Sequence, residues 1–282
     1  MKKNEDCMIK IFFIGYICFL NFVFSSDPKK EFRNYNKSTD LVKQTYLDNH
    51  SKQTVEFVEK QHQKYFPLRH RELSIWEVMD ILDDFIDESD PDHEKSQSLH
   101  AFQTAEKLRM ANQPRWMILT GLIHDLGKIL SFFGEPQWSV VGDTFPVGCE
   151  FHQSNIFHEF YQLNPDNRNP SYNTKYGIYE PNCGLENLKM SFGHDEYLYQ
   201  VMKSYLPKEA LFIIRFHSFY AAHRHDAYNY LMNEEDLKLM ELLKVFSQFD
   251  LYSKSNQVLN EKEIIPYYKE LVSEFLPEKI LW

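Results

Sequence analysis

A histidine and an aspartate stand side by side at positions 124 and 125, a lysine follows at 128, and all three lie in an otherwise apolar segment, GLIHDLGKIL. Read as a helix, the segment puts His124 and Lys128 on one face, and Gly121, three residues before His124, leaves that face open. Asp125 lies about 100° round the axis from His124, so both side chains can reach one metal ion or two neighbouring ones. A His–Asp pair is also compatible with an ordinary polar turn. Further residues are needed to decide.

In FIIRFHS the residues Ala210, Ile213, Ile214 and His217 form one stripe at helical spacing, which turns His217 inward. In LKLMELLKVFSQFD the stripe Leu239, Leu243, Phe246 and Asp250 puts a carboxylate where a hydrophobe is expected. A buried, unpaired carboxylate is costly, so Asp250 needs a cation or several donors. Lys128 as a salt-bridge partner meets that need; a metal meets it too and also accounts for His217. His100, in QSLHAFQTAEKL, shares its face with Gln97 and Thr104 rather than with the apolar stripe. His194, in SFGHDEYLY, is placed like a residue at a helix start and again precedes an aspartate, Asp195. The other histidines, at 50, 62, 70, 93, 152, 158, 223 and 225, are expected at the surface or behind the site.

The elements that must position these groups are helical. From Ser74 onward, apolar residues recur at spacings of three and four (Ile75, Val78, Met79, Leu82, Phe85–Ile86), and further segments of this kind cover 98–110, 116–133, 196–206, 208–220 and 236–252. Alternating strand patterns are nearly absent, so the expected class is all-α, a single helical domain. Residues 27–70 are polar and expected to wrap the surface, with an amphipathic stretch at 54–60. Five of the nine glycines fall between 121 and 148, and GEPQWSVVGDTFPVGC adds two prolines. Such a stretch reads as a shaped loop forming the wall or lid of a small-molecule pocket.

The chain has 282 residues, 43% hydrophobic and 16% aromatic, enough for one sizeable core, and its formal charge of −10 without a basic cluster argues against nucleic acid as a partner. Two of its four cysteines, Cys149 and Cys183, lie outside the N-terminal leader, and no CxxC occurs, which excludes a disulfide scaffold and a cysteine-based metal site. Residues 1–26 have the layout of a secretory signal: Lys2, Lys3 and Lys10, then an apolar run from Ile11 to Phe24 ending in small residues. The run is shorter than the roughly 20 residues of a membrane span. It is expected to be either a signal-like segment or an extension, with residues 27–282 forming the functional domain and no stable membrane partner.

The order His100, His124–Asp125, Asp250 resembles the metal signature of HD-domain proteins, and the added His194 and His217 resemble the variant that holds two irons. More closely, IDESDPD, HAFQTAE, GLIHDLGKI, GEPQWSVVGDTFPVGC, CGLENLKMSFGHDEYLYQ, IRFHSFY and FDLY resemble the myo-inositol oxygenase family from about Phe32 to Trp282. That resemblance implies ring cleavage of myo-inositol by O2 to D-glucuronate at a mixed-valent Fe(II)/Fe(III) pair. It implies one iron on His100, His124 and Asp250, the other on His194 and His217, and Asp125 bridging them. It further implies Lys128 as the catalytic residue on a substrate hydroxyl, and polyol contacts from Arg33, Asp87, Glu88, Ser89, Gly142, Asp143, His217 and Ser218. Relatives of this kind are cytosolic, so a cytoplasmic monomer is expected, with the secretory pathway as the alternative if residues 1–26 act as a signal. The other functional class, an HD-type phosphohydrolase, is disfavoured because a phosphate site wants several basic residues, whereas the candidate lining offers Asp87, Glu88 and Asp143.

Overall fold

Side-chain caps start the first four helices. In the computed structural model, which describes residues 34–91, 96–252 and 261–282, Thr39 caps α1 (Asp40–Lys52) and Thr54 caps α2 (Val55–Tyr65). Ser74 and Glu77 form a reciprocal capping box on α3 (Ile75–Leu82), and Ser96 caps α4 (Gln97–Met110). Next come α5 (Arg115–Ile123), α6 (His194–Met202), α7 (Lys208–Phe216), α8 (Tyr220–His225), α9 (Glu234–Tyr252) and α10 (Glu261–Phe275). The only sheet among the described residues is a two-residue pair, β1 (Glu72–Leu73) antiparallel to β2 (Ile280–Leu281). The all-α class therefore holds, and the described residues fall within one compact unit, Phe32–Trp282.

The main core is a bundle in which α4 packs on α5, α6 on α7, and α7 on α9. Close approach of α4 to α5 depends on Gly121: a Cβ there would meet Leu108 Cδ1 at 2.6 Å and the Ala105 backbone at 3.3 Å. The missing side chain thus admits a neighbouring helix. It does not open the face beside His124 to a ligand, as the spacing alone suggests. The C-terminal residue Trp282 is fully buried, donating Nε1–H to the Leu73 carbonyl.

Two expectations need correction. Residues 27–70 do more than wrap the surface, because within them α1 and α2 bury Tyr46, His50, Gln53, Val58 and Tyr65 almost completely. The polar residues are there because they satisfy buried loop backbone; the Gln53 side chain, for instance, both donates to and accepts from the Phe192 backbone. Nor is 116–133 one α-helix. α5 ends at Ile123 with His124 as its C-cap, Asp125 takes φ −95° and ψ −3°, and residues Leu126–Phe133 continue as a 3-10 helix. Three residues per turn then set Lys128 under Asp125, which an α-helical reading pairs with residue 129.

The loop from 134 to 150 is buried from Ser139 to Cys149 apart from half-buried Gly142, and it pairs with the segment before α6. Ser191 N–H donates to the Phe145 carbonyl, His194 N–H to the Val140 carbonyl, and Pro146 bridges to Met190. A second, smaller core joins Tyr35, Val42 and Tyr46 to Ile156, Phe157 and Phe160, fastening α1 to the segment that follows this loop.

Candidate metal centre and substrate cavity

Five segments converge on one cavity. His100 comes from α4, His124 and Asp125 from the end of α5, His194 from the first residue of α6, His217 from the C-cap of α7, and Asp250 from the last turns of α9; all six line the same cavity. They form two groups. In the first, His100 Nε2 lies 3.3 Å from His124 Nε2 and 3.0 Å from Asp250 Oδ1, and His124 Nε2 is 3.4 Å from that same oxygen. In the second, His194 Nε2 and His217 Nε2 are 3.2 Å apart.

Asp125 stands between the groups. Its Oδ2 faces His100 and His124 at 3.7 and 3.6 Å, while its Oδ1 faces His194 and His217 at 3.3 and 3.5 Å. One carboxylate thus presents one oxygen to each group.

The protonation pattern calls for cations. His124 Nδ1 lies 3.0 Å from the Gly121 carbonyl, His194 Nδ1 2.7 Å from that of Val140, and His217 Nδ1 2.9 Å from that of Ile214. A carbonyl can only accept, so each Nδ1 carries hydrogen and each ring turns its Nε2 inward, where a proton or a metal must meet it. Bare nitrogens 3.2 Å apart, with carboxylate oxygens alongside, repel one another unless a proton or a metal sits among them. Donors held roughly 2.1 Å from one ion are about 3.0 to 3.4 Å apart at octahedral to tetrahedral angles, which matches the spacings within each group. The residues present therefore fit two adjacent metal ions, with donors of imidazole and carboxylate type suited to iron.

Electrostatics agree with this reading. Burial opposes the charge on Asp125, but the Lys128 ammonium and the surrounding imidazoles hold its carboxyl well below the usual range, and His100 and His124 do the same for buried Asp250. For His194, burial is outweighed by Asp195 and Asp125, which push its pKa up to about 10. A site that draws protons onto its imidazoles in this way would equally draw a metal cation.

Lys128 is buried with its Nζ 3.0 Å from each of Asp87 Oδ2, Asp125 Oδ2 and Gln97 Oε1. The carboxylates overcome the effect of burial and keep it an ammonium, so it serves as a donor, not a base. It does not supply the salt bridge that Asp250 was thought to need, since Asp250 meets His100 and His124 instead. Asp87 and Ser89 line the cavity, with Ser89 N–H and Oγ–H both donating to Asp87 Oδ1; Gly142, His217 and Ser218 line it too.

Of the residues expected on the polyol, Glu88 and Asp143 are not among the described residues that line the cavity. Glu88 accepts from Thr45 Oγ at 3.5 Å, while Asp143 accepts from Tyr46 OH at 2.7 Å. Arg33 lies outside the described residues, as do His93 and the leader at 1–26.

Sequence reasoning missed several groups. Asp195 is wholly buried, 2.7 Å from His194 Nε2, and accepts from the backbone N–H and Oγ of Ser218; its position in a second His–Asp pair was the available signal. Asp90, Tyr220 and Leu251 also line the cavity; each lies in a stretch that carries the family resemblance, close to a residue singled out there, but had no signal of its own. His50 is a core residue stacked on Tyr161, neither at the surface nor behind the site.

The chain matches the family model for myo-inositol oxygenase over residues 39–282. It belongs to the myo-inositol oxygenase family. Among its relatives, Inositol oxygenase 1 of Arabidopsis thaliana is 51% identical over 263 residues, covering 90% of this chain and 85% of its own. Inositol oxygenase of Dictyostelium discoideum is 46% identical, covering 90% of each chain, and that of Bos taurus is 46% identical, covering 92% and 93%. Among members of this family an HD-type helical frame is expected, and the described helices are consistent with it. The phosphohydrolase alternative is not favoured, and among the described residues that line the cavity Lys128 is the one Lys or Arg.

Proposed function

We infer that this protein is an inositol oxygenase, an oxidoreductase that opens the ring of myo-inositol with O2 to give D-glucuronate and water. The observation that carries the inference beyond family membership is the straddling of the two donor groups by the two oxygens of Asp125. The cofactor we propose is a pair of irons, Fe(II)/Fe(III), the first on His100, His124 and Asp250, the second on His194 and His217, and Asp125 shared. When bound, such a pair supplies the redox chemistry by which O2 accepts four electrons without an external reductant.

The chain's own residues do the rest. Nδ1–H bonds from His124, His194 and His217 to backbone carbonyls fix each ring and turn its Nε2 inward. Lys128, kept cationic, donates a hydrogen bond to the hydroxyl on the carbon that reacts and stabilises negative charge there. Asp87, locked by Ser89, together with Ser218, offers polar partners to the other hydroxyls, since each one buried unpaired would weaken binding. Glu88, Asp143 and Arg33 complete the set implied by family resemblance; for Asp143 the contact would come from a carboxylate already oriented by Tyr46. We further place the protein in the cytoplasm as a monomer without nucleic-acid or stable membrane partners, because a mixed-valent iron pair needs a reducing compartment.

Iron-loaded protein incubated with myo-inositol tests this. The expected result is one O2 consumed per uronate formed, without NAD(P)H. Release of phosphate from a phosphoester, with no inositol-dependent O2 uptake, would overturn it. Sequencing the N-terminus of native material tests the location, and a mature start near residue 27 in secreted protein would refute the cytoplasmic assignment.

A further inference from the structure

Lys128 is held by three acceptors, each 3.0 Å from Nζ: Asp87 Oδ2, Asp125 Oδ2 and Gln97 Oε1. An ammonium has three N–H bonds and no more, so all of them are already used. A substrate hydroxyl can accept from Lys128 only if one present partner lets go. The three are not equal.

Asp87 is fastened through its other oxygen by the backbone and hydroxyl of Ser89. Asp125 is fixed between the two donor groups. Both are charged, so each adds the attraction of opposite charges to its bond with the ammonium, which a neutral amide does not. Gln97 is neutral, and Lys128 is the only hydrogen-bond partner of its Oε1 among the described residues. It is the first residue of α4, one turn before His100, and it stands behind Lys128 without lining the cavity.

We propose that Gln97 is an exchangeable acceptor: it holds the Lys128 ammonium in place in the free enzyme and yields one N–H to a neutral substrate hydroxyl. The exchange swaps one neutral acceptor for another, so the ammonium keeps both carboxylates and its charge throughout. Gln97 is thereby a positioning residue that sets how strongly Lys128 competes for substrate. A carboxylate in its place holds the ammonium too firmly; an apolar side chain of similar size leaves one N–H waiting.

This rests on the inositol oxygenase reading and on Lys128 as the substrate's donor, and the test separates the two. Iron content per chain and the dissociation constant of myo-inositol, measured by calorimetry without O2, are compared among the parent, Gln97→Glu, Gln97→Met and Lys128→Ala. Gln97→Glu should weaken binding about tenfold, as expected when an ion pair replaces a bond to a neutral acceptor. Gln97→Met should bind as tightly as the parent or more tightly. A merely structural Gln97 would weaken binding in both variants, and that result overturns the proposal. If Gln97→Glu loads less iron than the parent, Gln97→Met decides alone, and binding more than about threefold weaker overturns it. Lys128→Ala with parent-like binding and turnover removes Lys128 from the substrate and the proposal with it, whereas failure of the oxygenase reading would show as no inositol binding in any protein, the parent included.

Discussion

Asp125 is where single-residue chemistry is most exposed to test. Its two oxygens face different histidine pairs, and its ionised form is held by Lys128 from the side. Asparagine at 125 keeps the shape but loses the charge that offsets two cations, and it turns one oxygen into a donor aimed at bare imidazole nitrogens. Asp125→Asn is therefore expected to retain fewer than about one iron per chain while its far-ultraviolet circular dichroism stays that of the parent. Metal analysis after anaerobic loading checks this, and about two irons per chain would refute the shared role. His217 and Asp250 were read as inward-facing from helical spacing alone, and both prove buried at the cavity. Lys128 shows where such spacing misleads, since its partner one turn away is Asp125, not His124.

At the scale of elements, the contact between the 3-10 helix Leu126–Phe133 and the start of α6 joins the two halves of the site. A Cβ on Gly127 would lie 2.0 Å from the His194 carbonyl oxygen, a backbone atom that cannot swing away. Gly127→Ala should push the start of α6 off the 3-10 turn, costing about 3 kcal/mol or more of stability and impairing iron retention by His194 and His217 ahead of the other pair. Thermal unfolding and iron content measure both effects, and an unchanged melting temperature with two irons would show that the contact does not matter. In α1, burial holds the His50 pKa down to about 3, so the folded protein keeps this ring neutral while the unfolded chain protonates it below about 6.5. The stability contributed by neutral His50 is therefore complete above pH 6.5 and lost as pH falls toward 3. Comparing chemical denaturation of the iron-free parent and His50→Phe from pH 6.5 to 4.5, the parent should lose about 1.4 kcal/mol more per pH unit. Parallel curves would contradict a neutral buried His50.

Across the whole molecule, Trp282 ties distant segments together. Trp282 is buried without remainder, its indole N–H donating to Leu73 and its backbone pairing with Arg71, so the last residue locks onto the segment that leads into α3. Removing that ring leaves a large apolar cavity, and Trp282→Ala should cost about 3 to 5 kcal/mol. A lowered denaturation midpoint with an unchanged slope is the expected signature, and a shift below about 1 kcal/mol would mean that the end is not part of the cooperative unit. The ligating segments are spread from 100 to 250, so no short stretch contains a complete metal site, and loss of packing anywhere in the bundle weakens the donor geometry.

What the sequence determined by itself was the helical class, the inward direction of His217 and Asp250, and the residue types of a metal site, because these follow from period and polarity along one segment at a time. Long motifs such as GEPQWSVVGDTFPVGC also made the family legible. The grouping of the donors and the division of Asp125 between them were implied by family resemblance alone; physically they depend on helices that meet across the bundle. Tertiary structure alone decided the rest. The 3-10 turn after Asp125, the role of Gly121 in helix packing, the hydrogen bond of Tyr46 to Asp143 and the hold of Gln97 on Lys128 are all contacts between residues of distant segments or departures from ideal period. No pattern within a single segment encodes them, since each is settled by what the opposing surface places within reach.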